Sequence, residues 1–342
     1  MARKTPIAGG QQQATDTPLS NEQMVEADRL MLLSRLLDER VYALNRQGKV
    51  PIVASAQGHE ACQIGAAWAL DREHDLFVIY YRDIATCLAL GYSVTELMLG
   101  YMARRGAPFS GGRQFPYGGA DLKRRVINTS NVVASQIPHA VGAALAFKMR
   151  REPSVAIVHF GDGATSEGET HESMNFAAVH KLPVIFFCEN NGYAISVPLR
   201  QQLALARISD RAAAYGFPGV TVDGTDVLAV YGIAREAAGR ARGGGGPTLI
   251  EAVVPRLMAH TTDDDERRYR PAEELEERKR RDPLPRLRQT LMDGGLLTAD
   301  GESAMRQRCI AEIDQATAAA ESTPYPDKST FYDHVYAADR KE

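Results

Sequence analysis

Two short motifs carry the residues best suited to chemistry. Gly161-Asp162-Gly163 follows the apolar run Val155–Phe160, and Glu189-Asn190-Asn191 ends the run that begins at Val184. Residues 164–189, 26 in all, separate Gly163 from Asn190. Asp162 offers a carboxylate oxygen and Asn191 an amide oxygen, and the backbone carbonyl of Tyr193 stands close enough in the chain to add a third. Such hard donors suit Mg²⁺, which takes about six oxygens and binds few protein groups plus phosphate oxygens. Gly161 and Gly163 would let the backbone approach an anionic ligand closely. Each triplet alone is ordinary turn sequence, so the weight lies in their conjunction. Other phosphate motifs fit worse. No G-x-x-x-x-G-K-[ST] string occurs, and a G-x-G-x-x-G reading from Gly161 fails at Ser166.

The elements around these motifs explain how they meet. Val155–Phe160 and Val184–Cys188 read as strands, with a helix over Glu169–His180 between them. Leu76–Tyr80, Val220–Val222 and Thr248–Val254 read as further strands. Gly58–Leu70 and Pro138–Met149, rich in small residues, read as closely packed helices. Short apolar runs alternating with helices predict an α/β fold, a doubly wound parallel sheet with helices on both faces. In such a sheet ligands bind at the carboxyl ends of the strands. Asp162 and Asn191 would then face one site.

The flanks read differently. Ser20-Asn21-Glu22-Gln23 has capping-box form, and Met24, Leu30, Leu33, Leu37, Val41 and Leu44 recur at helical spacing. This predicts a long N-terminal arm helix ending at Gly48. Residues 1–19 read as a mobile arm, 20–50 as the arm helix, 51–290 as the α/β domain and 291–342 as a helical tail. The charged stretch 263–282 combines a loop with a solvated helix over Pro271–Arg281.

Composition removes several classes of function. Lys and Arg total 40 against 43 Asp and Glu, too balanced for a nucleic-acid backbone binder. No apolar run reaches the roughly 18 residues of a membrane span. Cys62, Cys87, Cys188 and Cys309 are too scattered for a disulfide framework or a zinc site. The N-terminus lacks the apolar core of a secretory signal, so a cytoplasmic location is expected.

The spacing of the two motifs matches the thiamine-diphosphate fingerprint, and further segments extend the match. From about Asp28 to Gln289 the chain resembles the α subunit of the heterotetrameric 2-oxoacid dehydrogenase E1 component, within it the branched-chain type. The resemblance rests on GKVPIVASAQGHEACQIGAAWALD (48–71), YYRD (80–83), SGGRQFP (110–116) and SQIPHAVGAA (135–144). NFAAVHKLPVIFFCENNGYAISVP (175–198), HTTDDDERRYR (260–270) and DPLPRLR (282–288) also carry it.

That resemblance implies a thiamine-diphosphate-binding fold and a set of roles. Asp162, Asn191 and the Tyr193 carbonyl would hold Mg²⁺. Arg82, Arg256 and the Tyr81 hydroxyl would contact the diphosphate, where guanidinium forks suit phosphate oxygens. The Val133 carbonyl would meet the aminopyrimidine. Ser130, Ser135 and Gln136 match a monovalent-cation site suited to K⁺. His260 would lie beside the thiazolium as the catalytic acid–base group.

The resemblance also implies oxidative decarboxylation of branched-chain 2-oxo acids, with acyl transfer to the lipoyl group of E2. Pyruvate and acetoin are alternative substrates, and a Mg-diphosphate-binding regulatory subunit without turnover is an alternative of another class. The chain has room for one of the two modules that single-chain thiamine enzymes carry. An E1 β subunit would complete an α2β2 assembly, leaving the isolated chain inactive. The arm helix, Gly58-x-Glu60 and the small-residue helices could serve that contact. Neither nucleic acid nor membrane is an expected partner.

Overall fold

The computed structural model describes residues 19–109, 113–114, 119–128 and 132–333. Its strands are β1 (Leu76–Val78), β2 (Gly119–Asp121), β3 (Val126–Asn128), β4 (Ala156–Gly161), β5 (Val184–Asn190), β6 (Tyr193–Ala194), β7 (Val197–Pro198), β8 (Gly219–Asp223) and β9 (Thr248–Val253). The helices are α1 (Asn21–Arg46), α2 (Glu60–Trp68), α3 (Ile84–Ala89), α4 (Val94–Tyr101), α5 (Gln136–Arg150) and α6 (Gly168–Val179). The short α7 (Leu199–Gln202) and α8 (Ala212–Tyr215) follow, then α9 (Val227–Arg242), α10 (Ala272–Arg280), α11 (Pro283–Asp293) and α12 (Ala299–Ser322).

Among the described residues seven strands form one sheet in the order β2-β3-β1-β4-β5-β9-β8, and β6 and β7 make a separate antiparallel ribbon. All neighbours in the main sheet are parallel except β2 with β3. The parallel reading therefore needs one correction: an antiparallel edge strand, β2. Residues 119–128 carry too little apolar pattern to announce this hairpin.

The central strands are buried on both faces, which accounts for their continuous apolar runs. Successive side chains divide between two cores. Ile157, Ile185 and Phe187 pack with α1, α2, α9, α11 and α12, whereas Val158, Phe186 and Cys188 pack with α5 and α6. Helices thus cover both faces. The four cysteines are buried and free.

Local chemistry sets the helix limits. Ser20 Oγ accepts from the Gln23 N–H, and Gln23 Oε1 accepts from the Ser20 N–H, closing the capping box. Beyond the six stripe residues, Ala27, Met31 and Leu32 are also buried, because α1 lies between α2 and α3 and the C-terminal α11 and α12. Asp282 caps α11, whose first turn begins with Pro283. On α2 a Cβ at Gly65 would stand 2.7 Å from the Val227 carbonyl oxygen, so the small residue sets the α2–α9 approach. Helix α5 begins at Gln136, two residues before the expected start. None of the helices among the described residues is long and apolar enough to cross a membrane.

Candidate active site

The sheet changes direction between β1 and β4. From β1 the chain reaches β3 on one side, and from β4 it proceeds to β5 on the other. A crevice opens at such a switch point. Here it is a cavity of about 350 Å³ at the carboxyl ends of β1, β4 and β5. Tyr81 and Arg82 line it beyond β1; Gly161, Asp162 and Gly163 line it beyond β4. Asn191 and Tyr193 enter after β5, Val133 and Gln136 at the start of α5, and His260 from the loop after β9. The structure therefore brings ten of the expected site residues to one cavity.

Asp162 is 1% exposed, and burial pushes its carboxyl above the ordinary range. One carboxylate oxygen accepts from Gln202 Nε2 at 3.2 Å. Thr165 Oγ1 donates to the Asp162 carbonyl, closing the turn that follows Gly161. Asn191 is buried, and its Oδ1 accepts from the Tyr193 N–H at 3.2 Å. A buried carboxylate whose side-chain hydrogen-bond partner is one neutral amide, and whose burial outweighs the help of backbone N–H groups and Arg256, is a poor resting state for an anion. Beside an amide oxygen, it fits a hard cation.

The two motif glycines have different reasons. A Cβ at Gly161 would meet open space, so ligand approach is compatible with that position. A Cβ at Gly163 would stand 2.8 Å from Ala194 Cβ. Gly163 therefore has a packing reason beside its place on the cavity wall: it lets the β6–β7 ribbon lie against the turn.

Arg82 is buried. It donates to the Ser55 carbonyl, and its Nη2 lies 3.2 Å from His260 Nδ1. Arg256 is buried but does not line the cavity wall. It donates to the Ile195 carbonyl at 3.0 Å and to the Tyr269 hydroxyl at 2.8 Å. Both guanidinium groups keep a buried Nε without a partner. Burial, with the nearby charges of Arg82 and Arg270, pushes Arg256 below its ordinary value. This crowding of positive charge fits an anion.

His260 is half-buried. Its backbone N–H donates to Asp264, which also accepts from the Tyr269 hydroxyl. Burial first, then the charges of Arg82 and Arg256, pushes its pKa down to about 3. The ring is neutral near pH 7. Arginine can only donate, so Nδ1 is the acceptor from Arg82 and Nε2 carries the proton.

The residues matched to a monovalent cation have other partners. Ser135 Oγ donates to the Val132 carbonyl and Gln136 Nε2 to the His159 carbonyl. Ser130 lies outside the described residues. Gly58 and Glu60, which could serve a subunit contact, have partners within this chain. Glu60 is buried, accepting from the Gly58 N–H and from Arg35 Nε at 2.7 Å each. Gly58 has φ +97°, and a Cβ there would stand 1.9 Å from the Pro255 carbonyl oxygen.

Sequence reasoning missed Gln202 and Ile195. Ile195 lines the cavity with φ +55°, a strained conformation for a β-branched residue, and Arg256 holds its carbonyl. No local pattern announces either residue. It also missed Tyr80, which lines the cavity and stands in the quoted YYRD segment.

Comparisons with known proteins agree with this geometry. The dehydrogenase E1 component family model matches residues 28–329. A 2-oxoisovalerate dehydrogenase subunit alpha of Bacillus subtilis (strain 168) is 49% identical over 319 residues, covering 93% of this chain and 97% of that protein. A 3-methyl-2-oxobutanoate dehydrogenase subunit alpha of Mycobacterium tuberculosis (strain CDC 1551 / Oshkosh) is 40% identical, covering 90% and 81%. A pyruvate dehydrogenase E1 component subunit alpha of Staphylococcus aureus (strain Mu50 / ATCC 700699) is also 40% identical, covering 89% and 80%. With a match of this extent on a sheet that gathers both motifs at one cavity, the chain belongs to the dehydrogenase E1 component family.

Proposed function

We propose that this chain is the α subunit of the E1 component of a branched-chain 2-oxoacid dehydrogenase. The carrying observation is the 49% identity to the B. subtilis 2-oxoisovalerate dehydrogenase subunit alpha over 97% of its length. The meeting of Asp162, Asn191 and His260 at one cavity supports it. Thiamine diphosphate, when bound, supplies the nucleophilic carbon and the electron sink that decarboxylation of a 2-oxo acid requires.

The chain's own groups do the rest. Asp162, Asn191 and the Tyr193 carbonyl give oxygens to Mg²⁺. Arg82 and Arg256 bring positive charge to the diphosphate, and the Tyr81 hydroxyl and Val133 carbonyl orient the cofactor. His260 holds a proton on Nε2 and donates it toward the 2-oxo oxygen. With an anion held beside Arg82 and Arg256, their charges would weigh less on His260, and its proton affinity would rise. A β subunit closes the site in an α2β2 assembly, and the acyl group passes to the lipoyl group of E2.

The test is to purify the chain from its host and identify what accompanies it. Ferricyanide reduction is then followed with 3-methyl-2-oxobutanoate, 4-methyl-2-oxopentanoate, pyruvate and acetoin. A β partner and turnover of the branched substrates, dependent on cofactor and Mg²⁺, are expected. The S. aureus relative makes pyruvate the second reading. Preference for pyruvate or acetoin would replace the substrate assignment, and no turnover of any substrate would refute the enzymatic one.

A further inference from the structure

Beside the cavity lies a buried polar cluster to which none of the roles above assigns a purpose. Its hub is Glu189, two residues before Asn191. One carboxylate oxygen, Oε2, accepts from His59 Nδ1 at 2.7 Å, Gln63 Nε2 at 3.0 Å and the Tyr80 hydroxyl at 3.1 Å. The other, Oε1, lies 3.1 Å from His159 Nδ1, which is also 3.1 Å from Asp83 Oδ1. His59, Gln63, Asp83, His159 and Glu189 are all 0% exposed. Two buried carboxylates are costly to maintain unless hydrogen bonds and opposite charge surround them. These have both.

The cluster joins the segments that carry the site. Asp83 Oδ2 accepts from the Tyr80 N–H at 2.9 Å, and Gln63 Nε2 also donates to the Arg82 carbonyl at 3.2 Å. These bonds fix the turn that presents Tyr81 and Arg82. His159 lies on β4, three residues before Asp162, and its carbonyl accepts from Gln136 on the cavity wall. Glu189 lies on β5, in register with Gly161. One carboxylate therefore ties the ends of β1, β4 and β5 together.

Asp83, His159 and Glu189 also stand close enough to hold a metal ion, their donor atoms within 4.8 Å of one another. The bonding argues against that use. Glu189 Oε2 already takes three donors, and the His159 ring fills the space between the carboxylates.

We propose that Glu189, with His159, Gln63 and Tyr80, is a positioning device that holds Arg82, Asp162 and Asn191 in register for the metal–diphosphate group. This rests on the thiamine-diphosphate reading given above. Removing one strut would loosen all three loop ends together. The loss would appear first as weaker cofactor binding, and turnover at saturating cofactor would fall less. Partners one layer behind metal ligands commonly carry about 10–100-fold in affinity.

The test uses the complex of this chain with its co-purified β partner. Glu189→Gln removes the hub charge, and Tyr80→Phe removes one hydroxyl while keeping the ring. Thiamine diphosphate binding is titrated calorimetrically in excess Mg²⁺. Ferricyanide turnover is measured against cofactor concentration, and metal content by elemental analysis. Glu189→Gln is expected to raise the half-saturating cofactor concentration about tenfold or more. Tyr80→Phe should raise it about threefold, with turnover at saturation within about twofold and an unchanged melting curve. Should Glu189→Gln fail to fold, Tyr80→Phe decides alone.

Unchanged half-saturation in Tyr80→Phe, or equal losses of turnover at every cofactor concentration, would overturn the inference. So would a stoichiometric metal other than Mg²⁺, present in the cofactor-free wild-type complex and lost with Glu189→Gln. Wild-type complex that binds cofactor but turns over none of the substrates would refute the function and leave the calorimetric comparison to decide the cluster. Wild-type complex that binds no cofactor would overturn both.

Discussion

Asp162 and His260 carry opposite electrostatic penalties, and each can be measured. Burial holds the Asp162 carboxyl above its ordinary range, so without metal its ionised form costs stability at pH above about 4. Asp162→Ala should therefore leave the melting temperature of the cofactor-free chain unchanged or raised at pH 7. The same variant should abolish Mg²⁺-dependent thiamine diphosphate binding in calorimetric titration. Full activity at ordinary Mg²⁺ levels would refute the site. His260 is held neutral, with its pKa down to about 3. An unfolded histidine gains a proton below about pH 6.5, so the folded state loses stability as pH falls from there toward 3. Cofactor-free His260→Gln should show a shallower loss of stability over that window in denaturant titrations. In the complex His260→Ala should reduce turnover by about 10²–10⁴-fold while cofactor still binds. His260 stood out in the sequence only through the resemblance of HTTDDDERRYR to the family, because a lone histidine before an acidic run otherwise reads as a surface residue. Its neutrality was not legible, because it comes first from burial in the folded chain and then from the charges of Arg82, 178 positions away, and Arg256.

Among the elements, those with strong local signals were legible and those made by pairing were not. The capping box at Ser20, the apolar stripe of α1 and the runs of β4, β5 and β9 are each set within a few residues. Ser20→Ala should cost about 1 kcal/mol in urea unfolding, because it orphans a helix N–H and breaks a reciprocal bond. Gly65→Val should cost more, about 1–3 kcal/mol, by forcing α2 away from α9. An unchanged midpoint would mean that α9 can shift freely. Strand β3 has three residues and β2 is intermediate to exposed, so neither shows a period to read. Their strand character comes from hydrogen bonds to β1 and to each other. Arg35 illustrates the same point between helices. It joins α1 to Glu60 on α2 and to Asp282, the cap of α11, with no local hint of either partner.

At the level of the assembled protein, Val132, Val133, Ile195 and Val197 stand exposed in the segments around the cavity. On the proposed function these residues meet the β subunit. Hydrogen exchange at 132–133 and 195–197 should slow on adding β, and the chain alone should reduce no ferricyanide with any 2-oxo acid. Activity of the isolated chain, or unaltered exchange there, would refute the α2β2 reading. The chemistry available to this protein was written in local order. Asp162 and Asn191 each follow an apolar run, and hydrophobic burial drives such runs into adjacent strands whose ends must share one side of a sheet. The environment of those groups was decided only by the tertiary structure. Dielectric burial, the charges of Arg82 and Arg256, the left-handed turn at Ile195 and the Glu189 cluster all depend on residues distant in the chain being brought within a few ångströms. Electrostatic energy and steric fit depend on distance in space, which sequence separation does not measure.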